Sequence, residues 1–112
     1  MRRVVRLGPL GRLERGDGYV VWVGGPVPPG AAAITLGRLI CMRRRAAGSA
    51  HLLRHELVHV RQWRELGVPR FLRQYLGAYL RGRLAGWSHH EAYRRIPLEV
   101  EAEREARRLE PR

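Results

Sequence analysis

Residues 49–66, SAHLLRHELVHVRQWREL, decide the fold of this chain. Apolar side chains recur in this stretch at helical spacing, and Leu53 and Leu57 lie along one stripe. Ser49 stands where an N-cap residue is expected, and Gly67 stands where a C′ residue is expected. The pattern therefore predicts an amphipathic helix that ends just before Gly67.

Inside this helix, residues 55–59 read HELVH, which is an HExxH motif. Residues four apart on a helix lie one turn above each other, so His55 and His59 can bind one ion from the same face. Glu56 lies about 100° around the helix, where it borders the ion without ligating it and can accept a proton from water. The motif predicts one Zn²⁺ per chain, with His55 and His59 as ligands and Glu56 as the catalytic base, since zinc lowers the pKa of a bound water.

A catalytic zinc needs a third protein ligand from a separate element downstream. Small side chains on the last predicted helix, Ala102 and Ala106, allow a close approach to the HExxH helix. Glu99 and Glu103 lie one turn apart on that face, whereas Glu101 points to the opposite side. This reasoning favours Glu99 as the ligand and Glu103 as a second carboxylate that orients a ligand imidazole. The other downstream candidates are His89, His90 and Glu91.

The first half of the chain predicts short strands separated by Gly-rich turns. Three runs carry the strand signal, at residues 4–7, 18–23 and 34–42, and residues 24–30 form a rigid Gly/Pro loop. Gly37 within the third run suggests a bulge or a close backbone approach. We therefore expect an α+β domain, in which a small antiparallel sheet precedes the active-site helix and further helices.

The second half predicts three more helical segments. The first restarts at Val68-Pro69, runs to about Leu84 and has a core stripe of Leu72, Tyr75, Leu76, Tyr79 and Leu80. Ser88 opens a short capped turn that carries His89 and His90. Pro97 opens the last helix, which continues to about Leu109.

The composition points to one globular domain over residues 1–112. All 22 basic residues are arginine, against 10 acidic residues, which gives a net charge of +12. These arginines are spread along the chain without a nucleic-acid-binding signature, so nucleic-acid binding is an alternative that we do not favour. Cys41 is the single cysteine, and no apolar run is long enough to span a membrane, which predicts a cytoplasmic protein.

A family resemblance rests on two segments, HELVHVRQ at 55–62 and PLEVEAE at 97–103. Together they resemble the gluzincin zinc metallopeptidases, and in particular the single-domain minigluzincins, whose motif is HExxH plus a downstream Glu-x-x-Ala-Asp. The resemblance implies that Glu99 is the zinc-ligand glutamate and that Glu103 stands in place of the aspartate. It also implies a zincin-like fold, in which the edge strand before the motif helix lines the cleft and pairs with an extended peptide.

The expected function is hydrolysis of peptide bonds in a peptide or unfolded protein, with Tyr93, His89 or His90 as candidates to stabilise an oxyanion. A ligand from His89 or His90 would instead resemble the three-histidine zincins of the SprT type. Three rivals remain open: an inactive zincin-fold binding or regulatory module, a latent enzyme with a blocked cleft, and a basic nucleic-acid-binding protein. The oligomeric state is not fixed by the sequence.

Overall fold

The computed structural model describes residues 3–111, which form an α+β fold of five strands and four α-helices. The strands are β1 (Arg3–Arg6), β2 (Arg12–Gly16), β3 (Tyr19–Val23), β4 (Ala33–Leu36) and β5 (Leu39–Met42). The helices are α1 (Ala50–Leu66), α2 (Val68–Leu84), α3 (His89–Arg94) and α4 (Pro97–Arg108). Within residues 3–111, no helix is long and apolar enough to cross a membrane.

The sheet is mixed, so the prediction of a purely antiparallel sheet is wrong. Its strand order is β1-β2-β3-β5-β4, and β3 pairs with β5 in parallel. The loop 24–32 leads from the end of β3 to β4, which lies two strand spacings away in the sheet. Strand β5 then runs back into the position between β3 and β4. Arg43 holds this loop in place, because its guanidinium donates hydrogen bonds to the backbone oxygens of Ala31 and Pro28 at 2.6 and 2.8 Å.

The predicted single strand at 34–42 is a hairpin. β4 and β5 pair antiparallel, and Gly37 and Arg38 form the two-residue loop between Leu36 and Leu39. Gly37 has φ +67°, whereas Arg38 has a negative φ, which fits a type II′ turn with glycine at its first central position. Gly37 therefore reverses the chain rather than forming a bulge, and the reversal makes β4 an edge strand.

The sequence gives no apolar signal for β2, which reads RLERG. This strand forms because the Asp17-Gly18 turn folds it back on β3, where Leu13 is opposite Trp22. Arg12 and Glu14 lie on one side of the strand and pair with each other at 2.7 Å. The charges of Arg12 and Glu14 therefore compensate each other, and β2 keeps its backbone pairing with β3.

The core lies between the sheet and α1. Val21 and Val23 of β3, Ile40 and Met42 of β5, and Val60 of α1 form one buried cluster. Partly buried side chains of α1 pack against this cluster, among them the predicted stripe residues Leu53 and Leu57. Helix α1 begins after Ser49, whose Oγ accepts a hydrogen bond from the Leu52 amide, and it ends at Gly67 as predicted. The packing fixes the HELVH segment beside β4.

Helix α2 packs through only part of the stripe that its sequence predicts, because Tyr75 contacts the core aromatics whereas the leucines are largely exposed. Leu72, Leu76 and Leu80 are 39, 51 and 57% exposed. Instead, Phe71 is buried and stacks on Trp63 with ring centroids 4.0 Å apart, and Tyr75 stacks on Phe71 at 5.4 Å. The aromatic side faces α1 because its large rings bury more area than leucines do, and the leucines are left facing outward.

Helix α4 lies against α1 through small side chains. Ala102 and Ala106 have no exposed area, and Arg54 of α1 donates to the Ala106 carbonyl at 3.1 Å. Pro97 occupies the first turn of α4, which places Glu99 in that same turn. The close approach of the two helices brings Glu99 to the HELVH face.

Candidate metal centre

The two histidines of α1 and one glutamate of α4 converge on a single point. His55 and His59 lie one turn apart, with ring centroids 5.0 Å apart. Glu99 places Oε1 2.9 Å from Nε2 of His55 and Oε2 3.0 Å from Nε2 of His59. One donor atom from each residue lies within 4.8 Å of the other two, and residues 3–111 contain no second group of this kind. The structure thus brings the three predicted ligands together as a possible metal-binding group.

The other ring nitrogen of each histidine is held by a buried or half-buried neighbour. Nδ1 of His55 lies 3.1 Å from Oε1 of Glu103, and Nδ1 of His59 lies 2.8 Å from Oε1 of Gln62. A carbonyl oxygen can only accept, so Nδ1 of His59 carries the proton in that bond. This arrangement aims both Nε2 lone pairs at Glu99 whenever the rings are neutral, as metal-ligating histidines require.

One buried atom lacks a hydrogen bond within the described residues. Nε2 of His59 lies 3.0 Å from Oε2 of Glu99, but this contact does not have the alignment of a hydrogen bond. Buried polar atoms are rarely left without a hydrogen bond, and a bound ion is one of the accepted reasons. The spacing also fits: tetrahedral zinc with bonds of about 2.0–2.1 Å has its ligand atoms roughly 3.3 Å apart. The donor set of two imidazoles and a carboxylate therefore fits a divalent metal.

The charges of this group are strongly coupled. Burial opposes a charged His55, but the bond to Glu99 and the nearby carboxylates raise its pKa to about 9. Burial also opposes charge on His59, and its contact with Glu99 again raises the pKa. The same two contacts outweigh burial at Glu99 and hold its pKa well below the usual range. Protonation of either imidazole therefore competes with metal binding, and a binding cation has to displace any proton on Nε2.

Glu56 lies beside the three ligand candidates but is not one of them. Its side chain is 5% exposed, and its Oε1 accepts a hydrogen bond from Thr35 Oγ1 of β4 at 2.8 Å. Burial raises the pKa of Glu56, against the opposing effects of both histidines and of Thr35. A carboxylate that is oriented by a hydroxyl and has a raised pKa is suited to accepting and returning a proton.

Two tyrosines bound the site on the side of Glu99. The Tyr75 hydroxyl donates to Oε2 of Glu99 at 2.5 Å, and the Tyr93 hydroxyl lies near the same carboxylate. Burial and the nearby Glu99 charge raise the pKa of both phenols. Both hydroxyls therefore remain protonated donors at neutral pH. Tyr93 is 41% exposed.

Sequence reasoning missed four polar neighbours of the site: Thr35, His51, Gln62 and Tyr75. His51 lies one turn before His55, and its Nε2 contacts both oxygens of Glu103 at 3.0 and 3.2 Å. Helical spacing alone carries a signal for His51 and for Gln62, which lies three residues after His59. Thr35 and Tyr75 reach the site only through tertiary packing, so no spacing in the sequence points to them.

The remaining candidates lie away from this group. His89 and His90 are exposed in the turn capped by Ser88, and Nδ1 of His89 contacts the Tyr79 hydroxyl at 2.8 Å. Glu91 pairs with Arg94 of its own helix and with Arg95, which follows that helix. Glu101 is outside this group, but it does not point away from α1 as predicted, because it accepts a hydrogen bond from Gln62 of α1 at 2.7 Å.

Comparison with known families adds a partial match. Residues 28–67 match the family model of the eCIS core domain. That domain is found in extracellular contractile injection systems. The matched segment contains the β4–β5 hairpin and all of α1, but neither α2 nor α4. No curated protein and no solved structure matches the chain. The resemblance to gluzincins therefore rests on the chain's own residues.

Proposed function

We propose that this protein is a zinc-dependent peptidase of the gluzincin type. One observation carries the proposal: two imidazole Nε2 atoms and a carboxylate converge, and each Nδ1 is held from behind. Two histidines that share a helix face by chance do not need a partner for each Nδ1, whereas metal-ligating histidines do. The eCIS core match over residues 28–67 supports the hairpin and HExxH helix as a recurring unit.

In this proposal, His55, His59 and Glu99 hold the zinc, which when bound acidifies a water and polarises a carbonyl. Glu56 would accept a proton from the attacking water and return one to the leaving amine. Thr35 would keep the Glu56 carboxylate aimed through its 2.8 Å bond. Tyr93 would donate to the developing oxyanion, a role supported by its partial exposure and its proximity to Glu99.

The edge strand β4 supplies a binding surface for the substrate. Its outer edge is unpaired within the described sheet, and Thr35 connects it to Glu56. An extended peptide added to that edge runs past the site, with main-chain hydrogen bonds independent of its sequence. The substrate class is therefore an unfolded or extended polypeptide.

The first experiment measures zinc by elemental analysis in protein purified without chelators. We expect about one zinc per chain. Glu99→Gln should lose it or weaken its binding by at least about 100-fold, because a neutral amide is a poor ligand. Glu105→Gln is the matched control on the same helix, since Glu105 pairs only with Arg108. Unchanged zinc in Glu99→Gln would overturn the ligand set.

The second experiment measures cleavage of an unfolded protein such as casein. Glu56→Gln should retain zinc but lower turnover by about 100-fold or more, because general base catalysis is lost. Glu65→Gln, an exposed change on the same helix, should cleave like wild type. Wild-type activity in Glu56→Gln, with contaminating protease excluded, would refute the mechanism.

A second candidate, a zinc-holding module without turnover, is favoured by the closure of the site. Glu56, His59 and Glu99 are only 4–6% exposed, so a substrate needs an opening movement to reach them. Stoichiometric zinc with no cleavage of any unfolded protein would select this candidate. Cleavage that appears only after a partner or a truncation opens the site would select a latent enzyme.

A further inference from the structure

Helix α2 carries a row of exposed aliphatic side chains. Five residues spaced four apart form this leucine ridge: Val68, Leu72, Leu76, Leu80 and Leu84, which are 57, 39, 51, 57 and 88% exposed. Each four-residue step turns about 40° around the helix, so the ridge winds gradually around α2, and Leu72, Leu76 and Leu80 lie within about 80° of one another. At a rise of 1.5 Å per residue the ridge is about 24 Å long. The aromatic side of the same helix already packs on the protein, so the ridge is not needed to hold the fold. Contiguous exposed apolar surface of this kind marks an interaction site.

The charge on this helix selects the kind of partner. Helix α2 contains Arg70, Arg73, Arg81 and Arg83, all exposed, and no acidic residue. Consecutive residues lie about 100° apart around a helix, so Arg73, Arg81 and Arg83 flank the ridge leucines next to them. Long arginine side chains can reach past an apolar surface while their charge stays in a polar layer. The exposed surface of α2 therefore combines the aliphatic leucine ridge with arginines on both sides of it.

We propose that the leucine ridge binds the surface of an anionic lipid bilayer. The leucines would enter the boundary between headgroups and acyl chains, and the flanking arginines would contact lipid phosphates. A second copy of the chain fits poorly, since two faces without an acidic residue repel each other and each chain carries a net charge of +12. A protein partner is disfavoured because leucine is under-represented among interface hot spots and the ridge has no aromatic anchor. The proposal does not depend on peptidase activity.

The experiment is flotation of the full chain with vesicles of phosphatidylcholine, alone or with about one third phosphatidylserine. We expect binding to the phosphatidylserine vesicles that weakens with added salt, and little binding to pure phosphatidylcholine. Leu76→Gln with Leu80→Gln should weaken binding by about tenfold or more, since both apolar contacts are lost. Glutamine keeps helix propensity, so circular dichroism should show unchanged folding. The matched control is Leu36→Gln with Leu109→Gln, at 53 and 52% exposure outside the ridge.

A second pair of variants tests the arginines. Arg73→Gln with Arg81→Gln should weaken binding to anionic vesicles by about 25-fold, because each arginine near such a surface contributes roughly a fivefold factor. Arg64→Gln with Arg104→Gln removes the same charge elsewhere and should have a smaller effect.

Three results would overturn the proposal. One is the absence of vesicle binding at low salt. Another is equal binding by the Leu76/Leu80 double variant and wild type, which would indicate adsorption by net charge alone. The third is a dimer in light scattering that this variant abolishes, which would assign the ridge to a second copy of the chain.

Discussion

Gln62→Met is the substitution that tests the architecture of the metal centre most directly. Gln62 is 3% exposed and accepts from Nδ1 of His59 at 2.8 Å, while its amide donates to the Leu98 carbonyl at 3.0 Å and to Glu101 at 2.7 Å. Methionine has a similar length and fills the same space, but it replaces none of these bonds. The change therefore removes polar support with little change in packing.

One buried group loses its partner, the His59 ring, at about 1–3 kcal/mol. The Leu98 carbonyl keeps the helical bond from the Ala102 amide, and the bond to Glu101 adds little, since that side chain is 49% exposed. The free energy of unfolding should therefore fall by about 2 kcal/mol, and the Tm by about 8 °C. Zinc affinity should fall by about 10–100-fold, because the His59 ring is no longer held in one tautomer and orientation.

The assays are thermal denaturation in the presence of a chelator and zinc titration against a chromogenic competitor. Measuring stability without zinc separates the effect on the fold from the effect on the metal. Gln74→Met, an exposed change on α2, is the matched control and should leave both quantities near wild type. A Gln62→Met protein that melts lower but binds zinc with unchanged affinity would refute the positioning role of Gln62.

Three further predictions concern the same scaffold. His51→Ala should weaken zinc binding by up to about tenfold, because His51 holds the Glu103 carboxylate that contacts His55. The control His90→Ala changes an exposed histidine and should leave zinc affinity unchanged. Equal effects of the two substitutions would contradict this role of His51. Gly82→Ala should lower the unfolding free energy by about 1–3 kcal/mol, since its Cβ would lie 2.7 Å from an indole carbon. Gly77→Ala should instead raise the unfolding free energy by up to about 1 kcal/mol, because its Cβ would meet only a side-chain nitrogen of Arg81, at 3.5 Å. Denaturant titrations measure the unfolding free energy of both variants. Zinc at about 100 times its Kd should stabilise the wild type by about 2.7 kcal/mol and Glu99→Gln hardly at all; melting curves indifferent to zinc would contradict a native metal site.

The sequence predicted best what depends on local geometry. Helix α1 begins and ends at the predicted residues because its cap, its period and its terminal glycine all agree. The convergence of Glu99 on His55 and His59 followed from helical spacing and from alanines that permit close helix contact. The bounds of α1 need only neighbours within one or two turns, whereas the convergence also needs α4 to pack on α1, which the spacing of the alanines indicates.

The sequence predicted worst what depends on competition between distant segments. The parallel pairing of β3 and β5 depends on where the loop 24–32 places β4, and no residue of β3 indicates which strand will lie beside it. Likewise, both sides of α2 are apolar, so periodicity alone cannot say that Phe71 is buried while Leu76 is exposed. Tertiary packing decided both cases.

The distribution of buried polar groups supports our proposal that this cluster is a functional site. Five polar residues are buried among those described, Thr35, Glu56, His59, Gln62 and Glu99, and all five belong to this one cluster. Buried ion pairs and polar networks give less stability than apolar packing of the same volume, particularly in a chain of 112 residues with a small core. If the two histidines were paired on the helix by chance, the neighbouring carboxylates would remain in solvent, where they carry no desolvation cost. The described residues instead concentrate their buried polar groups around Nε2 of His59, which faces Glu99 without a hydrogen bond and which a bound cation would satisfy.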